Sequence, residues 1–228
     1  MVSKPCAEYK SKVQSSKSKV CEFATYRLRG RREPWKWLVN RESRIVNLDG
    51  LKNTVYFDLE TQKAADEVGG WNHIAKMQMS IGVTFSTARG DYKIYGEKDV
   101  NDLLTDLQRA DLVVGFNILR FDYEVLHGYT PFDLRQLPTL DMMVDLQNKL
   151  QHRLSLDSIA TATFGVEKTA EGMQAIRWFK EGKLAEIAEY CCYDVKLTKL
   201  VHEYGQRHHH QVHYHNRFGK KMTVPVSW

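Results

Sequence analysis

The sequence has few cysteines, no long apolar run and no apolar stretch at its amino terminus. Four cysteines among 228 residues are too few for a disulfide scaffold, and Cys191 and Cys192 are neighbours within a helical pattern. No run of eighteen apolar residues exists, which excludes a membrane-spanning helix. The first twelve residues, MVSKPCAEYKSK, lack the apolar core of a secretory signal. Together these absences favour the reducing cytoplasm.

General disorder is also excluded, because hydrophobic residues make up 43% of the chain and charged residues 27%, which are values typical of a globular protein. A length of 228 residues suits one ordinary domain, or a smaller domain with extensions. No internal repeat is visible. We therefore expect a single folded domain.

The net charge of +5 is distributed unevenly along the chain. Residues 1–50 contain 12 Lys and Arg against 5 acids, residues 51–204 contain 17 against 23, and residues 205–228 contain 4 against none. Basic ends suit a polyanion such as a nucleic acid, because Lys and Arg replace the counterions on phosphates. Ends that serve only solubility are the alternative. We divide the chain into a basic N-terminal extension (1–50), a central domain (51–205) and a basic, His-rich C-terminal tail (206–228).

Apolar periodicity in the central domain predicts strands and helices in a definite order. Strands are predicted at 54–60, 78–85, 91–96, 111–117 and at the start of 139–150. Helices are predicted at 100–110, from 121, in the rest of 139–150, at 155–165 with Ser155 as N-cap and Gly165 at the end, and at 183–205. Short early connections favour antiparallel pairing and later helical crossovers favour parallel pairing. The order predicts an α/β fold with a mixed five-stranded sheet flanked by helices, and it resembles the ribonuclease-H-like layout.

Two carboxylates end the first predicted strand, TVYFDLE. Asp58 and Glu60 are two positions apart, so on a strand their side chains point to the same face. Like charges held this close raise each other's pKa, and a divalent cation with a preference for oxygen ligands, Mg²⁺ or Mn²⁺, removes that cost. A solvated strand end is the alternative interpretation, and it is the more common one for such a pair alone.

Two further acids complete a set. Asp122 follows a predicted buried strand in GFNILRFDYEVL, five residues after Asn117, whose amide can donate hydrogen bonds. Asp194 lies on the longest predicted helix, one turn after Tyr190 and on the same face. Each acid alone is more commonly structural, Asp122 as an acid in the first turn of a helix and Asp194 as a surface group.

Taken together, D-x-E, N-x₃-F-D and Y-x₃-D resemble the motifs of the DEDD, or DnaQ-like, 3′–5′ exonucleases of the ribonuclease-H-like superfamily. Tyr190 resembles the tyrosine that defines one variant of this family. The other variant has a histidine one position earlier, where this chain has Glu189. The segments FDLETQ, EVGGW, MSIGVTF and VVGFNILRFDYEVL more narrowly resemble uncharacterised bacterial proteins related to the exonuclease domain of family B polymerases. Some members of that group are joined to helicase domains.

The resemblance implies hydrolysis of a nucleic acid from its 3′ end with two divalent cations, Mg²⁺ or Mn²⁺. In such a site Asp58 bridges both cations, Glu60 and Asp194 hold the one that activates water, and Asp122 completes the other shell through water. Tyr190 positions the water. The resemblance also points to a single-stranded 3′ end as the ligand and to a helicase or polymerase as a partner.

Other residues are candidates for holding the substrate. The backbone N–H of Thr61 could contact the terminal nucleotide, and Phe121 could stack on a base or lie buried under the site. Trp71 could stack on a base or anchor its loop on the core, and the anchor is slightly favoured. Asn117 is a further substrate-binding candidate. We interpret the remaining nearby acids as helix caps or surface groups: Asp141, Asp145 and Asp157.

The two ends are candidate binding surfaces. The tail segment RHHHQVHYHNRFGKK suits phosphate contacts, with Tyr214 and Phe218 as base contacts; a metal-binding tract and a disordered tail are the alternatives. The N-terminal equivalent is RLRGRREPWKWL within 26–50. The leading hypothesis is therefore an exonuclease. A structure-specific endonuclease on the same fold and a non-catalytic nucleic-acid-binding module are the alternatives.

Overall fold

The computed structural model describes residues 53–166 and 172–228. The predicted N-terminal extension, with its arginine and tryptophan segment and with Cys6 and Cys21, lies outside the described residues. The strands are β1 (Thr54–Thr61), β2 (Met79–Ser86), β3 (Asp91–Gly96), β4 (Leu112–Gly115), β5 (Thr139–Asp141), β6 (Gln211–His215) and β7 (Lys221–Pro225). The α-helices are α1 (Val100–Gln108), α2 (Asp122–Leu126), α3 (Met142–Leu150), α4 (Leu156–Phe164), α5 (Gly172–Lys180) and α6 (Leu184–Arg207).

The five strands from β1 to β5 form one mixed sheet in the order β3-β2-β1-β4-β5. Strand β2 pairs antiparallel with both β1 and β3, whereas β4 pairs parallel with both β1 and β5. The predicted mixed five-stranded sheet with flanking helices is confirmed, together with its antiparallel and parallel halves. Strand β1 is central and therefore has a neighbour on each side.

The side chains of β1 alternate between two apolar layers. The odd-numbered residues from Val55 to Leu59 join the layer that contains Leu103 of α1 and Val125 of α2. On the other face, Tyr56 joins the layer that contains Ile187 of α6. Because side chains on a strand alternate with a period of two, the even-numbered Asp58 and Glu60 share the face of Tyr56. The first layer is closed over by α1 and α2, and the second by α6.

Helix boundaries follow the predicted signals where local chemistry fixes them. The Ser155 side chain accepts the N–H of Ser158 and begins α4, and Gly165 ends it with a left-handed φ of 70°. Helix α5 is absent from the sequence prediction; its buried Ala175 and partly buried Trp178 and Phe179 pack into the α6 layer. Among the described residues no helix has both the length and the apolar character that a membrane span requires.

Residues 206–228, predicted as a tail, contain an antiparallel hairpin of β6 and β7. Val212, Tyr214 and Val224 are buried against the α6 layer, and so is Trp228 at the end of the chain. A side chain at Gly205 of α6 would collide with the Trp228 indole, because a Cβ there would lie 2.3 Å from Nε1. The suggested base contact by Tyr214 is therefore wrong, since the alternation that forms the strand buries its ring.

Candidate active site

Three carboxylates, from β1 and α6, lie together at one end of β1. Oxygen atoms of Asp58, Glu60 and Asp194 all lie within 4.8 Å of one another, and each side chain is partly buried. Among residues 53–166 and 172–228, this is the group of metal-ligating side chains that meets such a spacing. The histidines of 206–228 form no comparable group, which disfavours the metal-binding interpretation of that tract.

The cluster forms because α6 packs over the face of β1 that carries Asp58 and Glu60. Asp58 pairs with Val83 of β2 and Glu60 with Ile81, so both carboxylates lie beside apolar neighbours. Cys191 of α6 joins the two elements: its thiol is 3.3 Å from the Asp58 carbonyl oxygen and 3.3 Å from Asp58 Oδ2. Strand alternation thus places two acids, and the docking of α6 brings the third.

Burial and mutual repulsion make the cluster costly when it is fully ionised. Burial raises the pKa of Asp58 well above its usual value, and the charges of Asp122, Asp194 and Glu60 raise it further. Burial also raises the pKa of Glu60, followed by repulsion from Asp194 and Asp122. The thiol of Cys191 acts in the opposite direction by donating to Asp58. The site therefore favours bound cations, protons or metal ions, over bare negative charge.

Asp122 lies outside this three-carboxylate cluster and closes an edge of β1. The pairing of β1 with β4 covers only Thr54 to Tyr56. Beyond that point the N–H of Leu59 donates to Asp122 Oδ1 at 3.0 Å. The carboxylate therefore provides the acceptor where β4 no longer pairs with β1. Asp122 is 3% exposed, and burial raises its pKa to about 8 despite this hydrogen bond. It is near enough for its charge to raise the pKa of Asp58 and Glu60.

Tyr190 lies on α6 one turn before Asp194 and is partly buried. Its ring packs edge-on against Trp178 of α5, with the ring centroids 6.4 Å apart. Burial raises the pKa of the phenol, and the charges of Asp194, Glu60 and Asp58 raise it further. The hydroxyl therefore keeps its proton over the physiological range and can donate a hydrogen bond.

A cavity of about 470 Å³ opens beside the carboxylates, and Asp58 and Asp194 are part of its lining. Asn117 and Arg153 form another part, and an Arg153 N–H donates to Asn117 Oδ1 at 2.9 Å. Asn117 has a left-handed φ of 70°, and its own N–H donates to Asp141 Oδ1 at 2.8 Å. The lining of the cavity thus combines two acids with a guanidinium.

Asp141 holds the loop that carries Asn117. Its carboxylate accepts the N–H of Leu119 and also the N–H groups of Met143 and Val144, which makes it the N-cap of α3. This confirms the interpretation of Asp141 as a helix cap. Asp145 is likewise structural, because it accepts the N–H of Ser227 and binds Lys149.

The other substrate-binding candidates lie in different environments. Thr61 is 4% exposed, and its hydroxyl donates to the Lys63 carbonyl. Phe121 is partly buried at the start of α2 and packs against the core, and its ring centroid is 6.4 Å from that of Trp71. Trp71 is 69% exposed. The slightly favoured interpretation of Trp71 as a core anchor is therefore wrong, and its ring is open to a ligand.

Sequence reasoning missed two residues of the site, Arg153 and Cys191. Cys191 was recognised only as part of a helical pattern, although its position one residue after Tyr190 places it against β1. Arg153 precedes the N-cap Ser155 by two residues, in the short connection between α3 and α4. The signal that could have found it is a lone arginine two residues before the predicted N-cap Ser155.

Comparison with known proteins gives a family match and matches of fold. A family model described as the RNase_H superfamily matches residues 55–206, which is more than half of the chain. No curated protein sequence matches the chain.

Two solved structures are matched over about two thirds of this chain. The first is the family B DNA polymerase from the hyperthermophilic archaeon Pyrobaculum calidifontis, at 14% identity and a TM-score of 0.50, covering 68% of this chain and 24% of the polymerase. The second is Trypanosoma brucei RNase D, at 16% identity and a TM-score of 0.47, covering 69% of this chain and 58% of that protein. This chain therefore spans about a quarter of the polymerase and less than two thirds of RNase D. At these identities the likeness concerns the fold alone.

Proposed function

This chain belongs to the RNase H superfamily, and we propose that it is a metal-dependent 3′–5′ exonuclease that hydrolyses phosphodiester bonds of DNA or RNA. One observation carries the proposal: Asp58, Glu60 and Asp194 converge within 4.8 Å, and Asp58 and Asp194 line a cavity that Arg153 also lines. Three acids facing a polyanionic substrate repel it unless cations intervene. The arrangement therefore suits metal-dependent phosphodiester chemistry better than simple binding.

The donor set fits a divalent cation of the Mg²⁺ or Mn²⁺ type. All donors are carboxylate oxygens, which hard cations prefer, and oxygens on opposite sides of Mg²⁺ are about 4 Å apart at metal–oxygen distances of about 2.0–2.1 Å. Asp58, Glu60 and Asp194 would hold the cations, and the charge of the nearby Asp122 would add to their attraction. When bound, two such cations would polarise the phosphodiester, activate water and stabilise the leaving oxygen.

The side chains of the protein orient the substrate and water. Tyr190 keeps its proton and donates a hydrogen bond to the attacking water, which fixes its line of approach. Arg153, which donates to Asn117, binds a non-bridging phosphate oxygen of the substrate in the cavity. Phe121 and Trp71 contact the terminal bases, and the backbone N–H of Thr61 contacts the terminal nucleotide.

The direction of cleavage tests this proposal. Single-stranded DNA and RNA labelled at the 5′ end, incubated with Mg²⁺ or Mn²⁺, should give a ladder that shortens from the 3′ end. A circular single strand should remain intact. Internal cuts in the circle would instead indicate the structure-specific endonuclease, and binding without any cleavage would indicate the non-catalytic module.

The Tyr190→Phe variant should lower kcat by about tenfold to a hundredfold, since the water loses a positioning hydrogen bond. KM should stay within about twofold of the wild-type value, and the rise in Tm on adding Mn²⁺ should be the same as in wild type, because the carboxylates are intact. The matched control is Tyr193→Phe, on the same helix, where the ring packs against Ala160 and Leu197. Equal kcat losses in both variants would reduce Tyr190 to a packing role.

The Arg153→Ala variant should raise KM for single-stranded substrate by about tenfold or more, since a charged hydrogen bond to phosphate is lost. A lysine at this position should restore part of the affinity, because it keeps the charge but loses the planar fork. Arg109, exposed after α1, provides the control variant Arg109→Ala. An unchanged KM in steady-state kinetics of Arg153→Ala would contradict the assignment.

A further inference from the structure

The β6–β7 hairpin ends in a basic tip, residues 216–221, that the proposed active site does not use. Arg217, Phe218, Lys220 and Lys221 are all exposed. Phe218 is 79% exposed, more than any other large hydrophobic side chain in the described part of the chain. Burial is the usual fate of a phenylalanine, so a ring displayed this way indicates a surface that binds something.

The hairpin tip is held in a defined shape by its own hydrogen bonds. Asn216 Oδ1 accepts the N–H of Phe218 at 2.9 Å and the N–H of Lys220 at 3.0 Å. The Asn216 N–H donates to the Lys220 carbonyl, and Gly219, at a left-handed φ of 72°, donates to the Asn216 carbonyl. Phe218 is therefore presented on an ordered turn, which reduces the entropy that binding would cost.

The chemistry of the hairpin tip matches a nucleic acid. The hairpin tip contains Arg217, Lys220 and Lys221, and the segment 205–228 contains no Asp or Glu. The Arg217 guanidinium lies 4.8 Å from the centroid of the Phe218 ring. An aromatic ring flanked by cations is the combination that binds single strands, because the ring stacks on a base while the cations contact phosphates.

The hairpin also adjoins the cavity of the proposed active site. His152, next to Arg153, has its ring centroid 6.3 Å from that of Tyr214 in β6. One residue earlier in β6, the His213 carbonyl accepts a hydrogen bond from the Thr163 hydroxyl of α4 at 3.2 Å. Since α4 begins at Leu156 in the cavity wall and Thr163 lies seven residues later, about 10 Å of helix separates the cavity from this contact. A single-stranded nucleic acid that leaves the cavity along α4 therefore reaches the hairpin within a few nucleotides.

We propose that the hairpin tip is a second nucleic-acid contact, which binds the single strand several nucleotides from the 3′ end held at the carboxylates. Phe218 stacks on a base, and Arg217, Lys220 and Lys221 contact phosphates. The choice of ligand rests on the proposed function, but the contact itself needs no catalysis. It makes long strands better ligands and substrates than short ones.

The test separates binding from cleavage by using the full chain in EDTA, where no hydrolysis occurs. Fluorescence anisotropy measures the Kd of fluorescein-labelled dT20 and rU20 at several salt concentrations for wild type, Phe218→Ala and the double variant Arg217→Ala/Lys220→Ala. The matched control removes two exposed cations elsewhere, Lys98→Ala/Arg109→Ala. Turnover of dT20 and of a dinucleotide is then compared with Mg²⁺.

We expect Phe218→Ala to weaken binding of a 20-mer about fivefold or more, as the loss of one stacked base does. The double variant should weaken it about tenfold or more and reduce the salt slope by about 1.4, or about 0.7 for each lost phosphate contact on a single strand. Turnover of the dinucleotide should be unchanged, because it is too short to reach the hairpin from the carboxylates.

Unchanged 20-mer affinity in both hairpin variants would overturn the proposal and leave a protein as the occupant of this surface. A loss in the double variant no larger than in the Lys98→Ala/Arg109→Ala control would also overturn it, since it would reflect net charge alone. If the proposed exonuclease activity were wrong, no protein would turn over any substrate, while the EDTA measurements would still report on the hairpin.

Discussion

Replacing Asp58 by asparagine is expected to lower metal-dependent cleavage by about a thousandfold or more, the largest effect of any single change in this chain. Asp58 lies at the centre of the carboxylate cluster: its oxygen atoms lie within 4.8 Å of those of Glu60 and Asp194, and the Cys191 thiol donates to it. Asparagine keeps the shape of the side chain and one acceptor oxygen but removes the charge that would hold the cations. The measurement is the initial rate on 5′-labelled dT20 and rU20 with Mg²⁺ or Mn²⁺.

The Asp58→Asn variant should not lose activity through unfolding, because without metal it should be more stable than wild type. Its Tm in EDTA measures this. The charge removed is one that burial and three neighbouring acids oppose. Oligonucleotide affinity in EDTA should be equal or tighter, since one repulsive charge is gone. Asp102→Asn, an exposed acid of α1, provides the control with near-wild-type rates. Cleavage within tenfold of wild type in a clean Asp58→Asn preparation would refute the proposed chemistry.

The second large effect that we expect concerns the stability of the fold: rising pH should lower the free energy of unfolding, and bound metal should restore it. The pKa of Asp122 is raised from 3.8 to about 8, and those of Asp58 and Glu60 are raised well above their usual values. The folded state therefore holds more protons than the unfolded state, so metal-free stability falls as pH rises from about 4 to about 8. A bound cation replaces those protons and removes the loss.

Thermal unfolding from pH 5 to pH 8.5, with EDTA or with excess Mn²⁺, measures this opposition. At pH 8, metal at a hundred times its Kd should stabilise the fold by about 2.7 kcal/mol, or about 5–10 °C in Tm. At pH 5 the gain should be much smaller, because protons occupy the site. Asp58→Asn should flatten the metal-free pH profile, whereas Asp102→Asn should not. A metal effect of the same size at both pH values would show that these carboxylates are not the ligands.

Periodicity and turn chemistry predicted most of the sheet because they are local. The alternation in TVYFDLE, for example, fixes both the strand and the face that Asp58 and Glu60 share. Helix α5 was not predicted, although at nine residues it is as long as α1, α3 and α4 and buries Ala175 and Ile176. The hairpin was not predicted although Val212 and Tyr214 alternate with polar residues as in a strand; its strands are only five residues long, and the polar positions of β6 are mostly histidines.

The parts of the site that escaped prediction are those set by contacts between distant segments. The spacing of Tyr190 and Asp194 predicts a common helix face, but only the packing of α6 on β1 brings Asp194 to the other acids. The bond from the Leu59 N–H to Asp122 joins residues 63 apart, and the contact between Arg153 and Asn117 joins residues 36 apart. No local signal reports such distances, whereas the cap at Asp141 could be predicted because it bonds its own helix.

Substitution at position 122 is subject to a constraint that the other acids do not share. Because the Asp122 carboxylate completes the hydrogen bonding of β1, an alanine there would leave the buried Leu59 N–H without its acceptor, at a cost of about 1–3 kcal/mol. In a descendant of this chain that no longer cut nucleic acid, Asp58, Glu60 and Asp194 would be free to change, and their loss would relieve repulsion. Position 122 would still require an oxygen acceptor, so an acid or amide there would outlast the activity and would by itself be a poor sign of a working nuclease.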